Sequence, residues 1–345
     1  MAKKIRKRSE LIRQFILNNV NEYPEQIAVL AADEFGITRQ AINKHIKQLI
    51  EQKLVVVEGS TRSKRYYLRS QSAWLKNYAL DPDLTEDIVW DVDIRPLVVN
   101  LPGNVKDIWW YGFSEMFNNA IDHSSGKTIT VKVEKTATDT EIIISDDGEG
   151  IFKKIQRELN LHDQRHSVLE LAKGKLTTDP KRHSGQGIFF TSRMFDSFAI
   201  LSGIVYFSHE FNKVEDWIFE NDTGQSSTTV FMKLSNTTSR TDRKIFDLFS
   251  SGDDYAFTKT VVPVRLTQYG DEKLVSRSQA KRLLARVNKF KVVVFDFSEV
   301  DSIGQAFADE VFRVFRKQYP DIDIKSINQN KYVMQMIRRA ESNDI

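Results

Sequence analysis

The stretch that decides the fold is TEIIISDDGEGI, residues 140–151. Its first half is apolar and rich in isoleucine, which is typical of a buried β-strand. The strand ends in Asp146 and Asp147, and Gly148 and Gly150 follow in the next turn. Because glycine has no Cβ, a turn of this composition lets a carboxylate approach a ligand closely. The stretch therefore predicts a binding site at the end of a strand.

The sequence before this strand predicts a long helix with two different faces. In DIWWYGFSEMFNNAIDHS, residues 107–124, apolar side chains recur at helical spacing. Glu115 and Asn119 are four positions apart, so they lie one above the other on a single face. We expect this helix to bury its apolar stripe and to present an acid and an amide together.

The sequence after the strand contains a second glycine cluster, HSGQGI at residues 183–188, which opens an apolar helical pattern. Glycines that lead into a helix present free backbone N–H groups to an anion, as in phosphate binding. The polar, basic stretch LAKGKLTTDPKR, residues 171–182, lies between the two clusters and is interpreted as a mobile lid over phosphates. A further strand is predicted at residues 226–234, with Thr228 in its first half.

In this order and at this spacing, the segments resemble the GHKL ATP-binding fold over residues 105–235. That fold is shared by gyrase B, the heat-shock chaperone ATPases, the mismatch-repair ATPases, and the histidine and anti-sigma kinases. The resemblance implies an α/β sandwich, the Bergerat fold, that binds ATP with Mg²⁺. It places Glu115 as the general base that activates a water, and Asn119 as the amide ligand of the metal.

The resemblance also implies contacts to the rest of the nucleotide. Asp146 would accept a hydrogen bond from the adenine amine, with Gly148 and Gly150 allowing its close approach and Thr228 supporting the contact. Asp122 aligns with a further polar position near the adenine. The implied phosphate contacts and lid residues are Lys173, Lys175, Thr177, Thr178, His183, Gly185, Gln186 and Gly187.

The N-terminal segment is the basic part of the chain. Residues 1–70 hold 14 Lys and Arg against 7 Asp and Glu, a net charge of +7, which leaves −4 for the other residues. Helical spacing predicts two helices before the breaker Gly36 and a third that is N-capped by Thr38. The β-rich runs at 54–59 and 64–68 predict a hairpin with a basic tip.

This order of elements resembles the winged helix-turn-helix family over residues 5–69. The resemblance implies binding of double-stranded DNA, with the third helix in a major groove and the hairpin on backbone phosphate. The alternative is a dimerisation or peptide-docking module. The implied DNA contacts are Arg39, Gln40, Asn43, Lys44 and Lys47 on the third helix, and Arg62, Lys64 and Arg65 on the hairpin.

The C-terminal segment alternates between strand and helix patterns from about Val261, which predicts a small α/β domain. Its stretch VVVFDFSEVDSIGQAFADEVFRVF, residues 292–315, resembles STAS-like domains, whose bacterial regulatory members are substrates and partners of anti-sigma kinases. Phosphorylatable members begin the following helix with Ser or Thr, where this chain has Gln305 or Ala306, and Ser302 is displaced. The departure favours docking or intramolecular sensing, with a dimerisation domain as the alternative.

Together these patterns predict a multidomain α/β protein: a winged helix at 1–70, a connecting segment with the ATP-binding domain at 71–240, and a STAS-like domain at 241–345. The absence of cysteine excludes disulfides, zinc ribbons, iron–sulfur clusters and thiol nucleophiles. No apolar stretch is long enough to span a bilayer, so we expect a cytoplasmic protein without a membrane partner.

The predicted function is that of an ATP-binding, ATP-hydrolysing regulator in which the Mg-ATP state controls DNA or partner binding. Two alternatives stay open: a serine/threonine protein kinase of anti-sigma type, and an ATP sensor that does not hydrolyse. Residues 71–108 contain no histidine, so autophosphorylation of the histidine-kinase type is not expected. A protein partner of the STAS-like domain and a homodimer are left open as well.

Overall fold

The structure is a computed structural model that describes residues 2–60, 63–176, 185–211, 217–220, 226–251, 256–268 and 272–342. The chain packs into two compact units. The first contains residues 1–76, 131–142 and 233–238, and the second contains residues 77–130, 143–232 and 239–345. The sequence predicts three domains, at 1–70, 71–240 and 241–345, whereas the spatial contacts group the chain into two units. The three domain boundaries therefore stay predictions.

The first unit begins with three helices and a β-hairpin, in the order that the sequence predicts. The elements are α1 Ala2–Asn19, α2 Ile27–Phe35, α3 Arg39–Glu51, β1 Val55–Glu58 and β2 Arg65–Leu68. Gly36 ends α2 in the left-handed conformation, at φ +60°, where a glycine carries no steric penalty. The Thr38 hydroxyl caps α3 by accepting from the Ala41 N–H at 3.2 Å. Ile16, Ile27 and Ile42 are fully buried in the core of the helices.

A seven-stranded sheet brings together strands that are far apart in the sequence. Its strands are β3 Ser72–Ala79, β4 Thr128–Lys135, β5 Asp139–Asp146, β6 Ser197–Ser202, β7 Val205–Glu210, β8 Trp217–Glu220 and β9 Thr228–Ser235. Their order across the sheet is β3-β4-β5-β9-β6-β7-β8. The last strand thus lies beside β5, and the hydroxyls of Ser145 and Thr229 are 2.7 Å apart. This pairing sets Thr228 next to Asp146.

The long predicted helix is present and packs closely on a later helix. The helices of this region are α4 Glu86–Val89, α5 Arg95–Val98, α6 Gly103–His123, α7 Ile151–Glu158, α8 Arg165–Lys173, α9 Gly187–Met194 and α10 Asp242–Phe249. The ring of Trp109 in α6 lies 4.7 Å from the ring of Phe195, the residue that follows α9. A Cβ on Gly112 would come within 2.4 Å of the Phe195 ring, so this glycine lets α6 and α9 approach. The apolar stripe read from the sequence is therefore the packing face.

The C-terminal region forms the predicted small α/β domain. Its elements are β10 Ser250–Ser251, β11 Ala256–Phe257, β12 Lys259–Pro263, α11 Arg277–Leu284, β13 Val292–Asp296, α12 Gln305–Asp309, α13 Phe315–Gln318, β14 Asp323–Ile327 and α14 Lys331–Ser342. Strands β12, β13 and β14 pair in parallel, and helical segments connect them. In the described ranges, no helix has the length and apolar content that crossing a membrane requires.

Candidate nucleotide-binding site

A cavity of about 240 Å³ lies between α6, the adjacent ends of β5 and β9, and the start of α9. We call it the α6 pocket. Six residues singled out from the sequence line it: Glu115, Asn119, Asp146, Gly185, Gly187 and Thr228. Apolar side chains from the sheet and the flanking helices form most of the remaining wall. The fold therefore assembles residues from four separate segments around one cavity.

Asp146 supplies a buried acceptor in this largely apolar pocket. The residue is 9% exposed, and its carboxylate accepts from the Gly148 N–H at 2.9 Å. Burial raises the pKa of Asp146, although the backbone N–H groups of Gly148 and Thr228 act in the opposite direction. The Thr228 hydroxyl accepts from the Ile151 N–H at 3.0 Å, which holds the turn after β5 against β9. A fixed acceptor among apolar walls suits the exocyclic amine of a planar heterocycle.

The two glycines after Asp146 have a packing role that the sequence argument did not include. A Cβ on Gly148 would lie 2.0 Å from the Ser124 carbonyl oxygen, at the end of α6. Gly150 has φ +89°, and a Cβ there would lie 2.8 Å from the Ser202 hydroxyl. A side chain at either glycine would therefore collide with the protein itself, with the Ser124 backbone or with the Ser202 hydroxyl, whether or not a ligand is bound.

Glu115 and Asn119 face the pocket from one side of α6, as their spacing predicts. The Glu115 carboxylate lies against the first residue of α9, because a Cβ on Gly187 would be 2.0 Å from its Oε2 atom. Burial, together with the charge of Glu115, raises the pKa of Tyr111 one turn earlier. The acid thus stands at the amino end of a helix, where the unpaired N–H groups favour negative charge. A phosphate chain placed there would meet the acid, the amide and these N–H groups.

The protein side chains at the α6 pocket offer too few oxygen donors to hold a magnesium ion without a bound phosphate compound. No group of three or more His, Cys, Asp or Glu side chains suited to a metal occurs among the residues that the structure describes. Asn119 lines the pocket, and its side-chain amide has one oxygen that a cation could use. Mg²⁺ is commonly held by one or two protein oxygens, with phosphate and water completing its octahedron. The site therefore matches a cation that enters with a polyphosphate.

Several predicted residues lie elsewhere. Asp122 is exposed and does not line the α6 pocket. The Lys175 amino group donates to the Lys289 carbonyl at 2.8 Å and lies 4.7 Å from the centre of the Phe290 ring, so it is directed to the C-terminal domain. Lys173 is 1% exposed, and a place on a solvated lid does not fit that burial. Gln186 is half-buried and immediately precedes α9. Arg62, Thr177, Thr178 and His183 lie outside the described residues.

The α6 pocket also contains a charged residue that was not among those predicted from the sequence. Lys154 in α7 lines the pocket, and its amino group donates to the His123 carbonyl at 2.8 Å. Phe152 and Ile155 on the same short helix are buried. This amphipathic pattern follows directly after the glycine turn, and it could have indicated that the helix packs beside the site.

The third helix of the first unit presents a polar face to solvent. Its five predicted DNA contacts are all exposed, namely Arg39, Gln40, Asn43, Lys44 and Lys47. On the hairpin, Lys64 and Arg65 are exposed, and Arg65 forms an ion pair with Glu25 at 2.7 Å. His45 is half-buried, and burial lowers its pKa, which fits a structural histidine.

Comparison with known families supports two parts of this description. The family described as a histidine kinase-like ATPase domain matches residues 99–204. The family described as a STAS-like domain of unknown function (DUF4325) matches residues 279–334. No curated protein is similar enough to this chain to be matched. The first match supports ATP binding at the α6 pocket, and neither match reaches the three helices and hairpin of the first unit.

Proposed function

We propose that this protein is an ATP-hydrolysing regulator in which the Mg-ATP state controls binding of double-stranded DNA. The observation that carries the proposal is the α6 pocket, where Glu115, Asn119 and Asp146 meet at one cavity although the chain separates them. The match of residues 99–204 to a histidine kinase-like ATPase domain supports the nucleotide class.

Each pocket residue has a role that its position supports. Asp146, backed by Thr228, accepts from the adenine amine, and the start of α9 offers N–H groups to phosphate oxygens. Asn119 is the protein ligand of Mg²⁺, which when bound supplies charge neutralisation at the phosphates. Glu115 accepts the proton of the attacking water.

DNA is the proposed target of regulation because the first unit carries the positive charge of the chain. Its residues 1–70 have a net charge of +7, and the five polar side chains of α3 are exposed together. Guanidinium, ammonium and amide groups on one helix face match the base edges and phosphates of a major groove.

The test compares DNA binding with and without nucleotide. We expect the full chain to select genomic fragments with an affinity that differs between ATP and ADP, and Asp146→Asn to bind DNA without that difference. A Lys44→Ala variant is expected to weaken binding and to reduce the salt dependence by about one counterion. Lys281→Ala, an exposed lysine of α11, is the matched control. DNA affinity that is identical in ATP, ADP and no nucleotide contradicts the proposal.

A protein kinase is the second candidate, because the C-terminal domain that matches a STAS-like family contacts the segment beside the α6 pocket. Incubation with ATP labelled on the γ-phosphate separates the two. Label retained on a protein supports the kinase, and label released as phosphate supports hydrolysis. Turnover in the wild type that equals the level of Glu115→Ala supports a sensor without hydrolysis.

A further inference from the structure

Helix α8 is buried on all sides. Every residue from His166 to Lys173 is buried, including the charged Glu170 and Lys173. The helix packs against α7 and α9, and also against β12 and the short 3-10 helix Val264–Thr267 of the C-terminal domain. Because these residues have no solvated face, α8 is covered both by the neighbouring helices α7 and α9 and by the C-terminal domain.

Lys173 joins α8 to the C-terminal domain by a complete set of hydrogen bonds. Its ammonium donates to the Glu170 carboxylate at 2.7 Å, to the Arg282 carbonyl at 3.0 Å and to the Ala285 carbonyl at 2.8 Å. These three bonds use all three donors of the group. The two carbonyls belong to the end of α11, where a cation is favoured by the helix dipole. A buried lysine is therefore satisfied only while α11 holds this position.

The backbone beside Lys173 is held from the same domain. The Thr260 hydroxyl donates to the Lys173 carbonyl at 2.7 Å, and the Arg286 guanidinium donates to the Lys175 carbonyl at 2.9 Å. Gly174 lies between them with φ +79°, and a Cβ there would be 2.9 Å from the rings of Phe189 and Phe257. The side chains of Lys173 and Lys175 thus donate hydrogen bonds to the C-terminal domain, and their backbone carbonyls accept hydrogen bonds from it.

The same segment forms a wall of the α6 pocket. Leu171 and Leu176, which flank the bonded residues, both line the cavity. The Leu176 N–H donates to the Gly185 carbonyl at 3.1 Å, and Gly185 lines the cavity as well. Residues 171–176 therefore contact the pocket with some side chains and the C-terminal domain with the others. We call this segment the shared wall.

We propose that the C-terminal domain controls the affinity of the α6 pocket for nucleotide through the shared wall, with Lys173 as the positioning residue. A partner that displaces the end of α11 from Lys173 weakens nucleotide binding, and bound nucleotide stabilises the end of α11 by the same free energy. The inference rests on the proposed function only in requiring that the pocket binds nucleotide.

The test measures ATP and ADP affinity of the full chain by calorimetry in wild type, Lys173→Met and the control Lys281→Met. Methionine keeps the apolar stem and removes the three donors, whereas Lys281 is exposed on α11. We expect Lys173→Met to lower affinity by about 5- to 150-fold, the usual range of coupling between sites. The rate constant for hydrolysis of bound ATP is measured in parallel and is expected to change less than the affinity, since Lys173 does not line the α6 pocket.

Amide hydrogen exchange supplies a second readout, which a merely structural lysine would not change. In the wild type, ADP is expected to slow exchange in residues 279–290, and in Lys173→Met this nucleotide-dependent protection is expected to be lost. Thr260→Val removes only the bond to the Lys173 carbonyl, so it tests the same wall if Lys173→Met does not fold.

The inference is overturned if a folded Lys173→Met or Thr260→Val variant binds nucleotide as tightly as the wild type. It is also overturned if ADP does not slow hydrogen exchange at residues 279–290 of the wild type, or slows it equally in Lys173→Met. A wild type that binds no nucleotide overturns the proposed function instead. The two failures are therefore distinguishable.

Discussion

The two sides of the α6 pocket are constructed differently. Residues of α6, β5 and β9 form one side, where Asp146 and Thr228 accept hydrogen bonds from the Gly148 and Ile151 N–H groups of the segment that follows β5. The shared wall forms the other side, and the C-terminal domain bonds its polar groups. The polar groups of the first side are therefore held by neighbouring backbone, whereas those of the second side are held by a segment more than 100 residues later in the chain.

The largest expected effect is on the first side. Glu115→Gln keeps the shape of the side chain against Gly187 and removes the proton acceptor, so hydrolysis is expected to fall by roughly 10²- to 10⁴-fold. ATP affinity is expected to stay within about twofold. Phosphate release and calorimetry measure the two quantities, with Asp107→Asn, an exposed acid of α6, as the control. If the ATP affinity of Glu115→Gln falls as much as its hydrolysis rate, Glu115 contributes to ATP binding rather than to proton transfer.

The second prediction concerns the buried acceptor. Asp146→Asn replaces a carboxylate by an amide that can present a donor to the adenine amine. Since hydrogen bonds to charged groups contribute about 1.5–3 kcal/mol, ATP affinity is expected to fall by roughly 10- to 100-fold. GTP has a carbonyl oxygen in place of that exocyclic amine, so its affinity is not expected to fall in the variant, because the amide can donate to this oxygen. Unchanged ATP affinity would place the adenine elsewhere.

The third prediction concerns the shared wall. Gly174→Ala requires a side chain at φ +79° and a shift of two aromatic rings, so we expect a loss of about 1–3 kcal/mol in unfolding free energy. Urea unfolding measures the loss. Gly103→Ala is the control, because a Cβ there meets no atom within 4 Å. Equal urea midpoints for Gly174→Ala and Gly103→Ala would indicate that the shared wall accommodates a side chain at residue 174 without loss of stability.

The smallest expected effect is a pH dependence of α8, the helix that leads into the shared wall. His166 is buried next to Arg282 of the C-terminal domain, with 2.8 Å between the side-chain nitrogens, and burial and that positive charge lower its pKa to about 4. The unfolded chain, with an ordinary histidine pKa near 6.5, binds the proton first. Stability from the neutral imidazole is therefore complete above about pH 6.5 and decreases as the pH falls towards 4.

A His166→Gln variant is expected to show a flatter decrease in melting temperature between these pH values. The variant His162→Gln changes an exposed histidine nearby and serves as the control. Equal pH profiles for His166→Gln and the wild type would show that this contact does not titrate in the window.

Much of the first side could be predicted because local patterns encode it. The four-residue spacing of Glu115 and Asn119 defines a helix face, and the strand before Asp146 ends in a recognisable turn. Thr38 was identified as a cap for the same reason, since the hydroxyl bonds an N–H three residues away. These interactions need no knowledge of the tertiary structure.

The shared wall could not be predicted in this way. Lysines at 173 and 175 in a polar stretch indicate a solvated lid, because charged side chains are usually exposed. Besides Glu170, the acceptors of their amino groups are the carbonyl groups of Arg282, Ala285 and Lys289, more than 100 residues later. Backbone carbonyls occur at every position, so no pattern in the sequence marks these three as acceptors.

The sequence by itself determined the helices, the strands, the polar faces and the resemblance to an ATP-binding fold. These follow from periodicity, capping and turn chemistry, which act over a few residues. Only the tertiary structure decided that β9 lies between β5 and β6, that Gly148 packs on the end of α6, and that Lys173 is buried against α11. Those placements depend on strand order and domain packing, because burial is a property of what covers a residue.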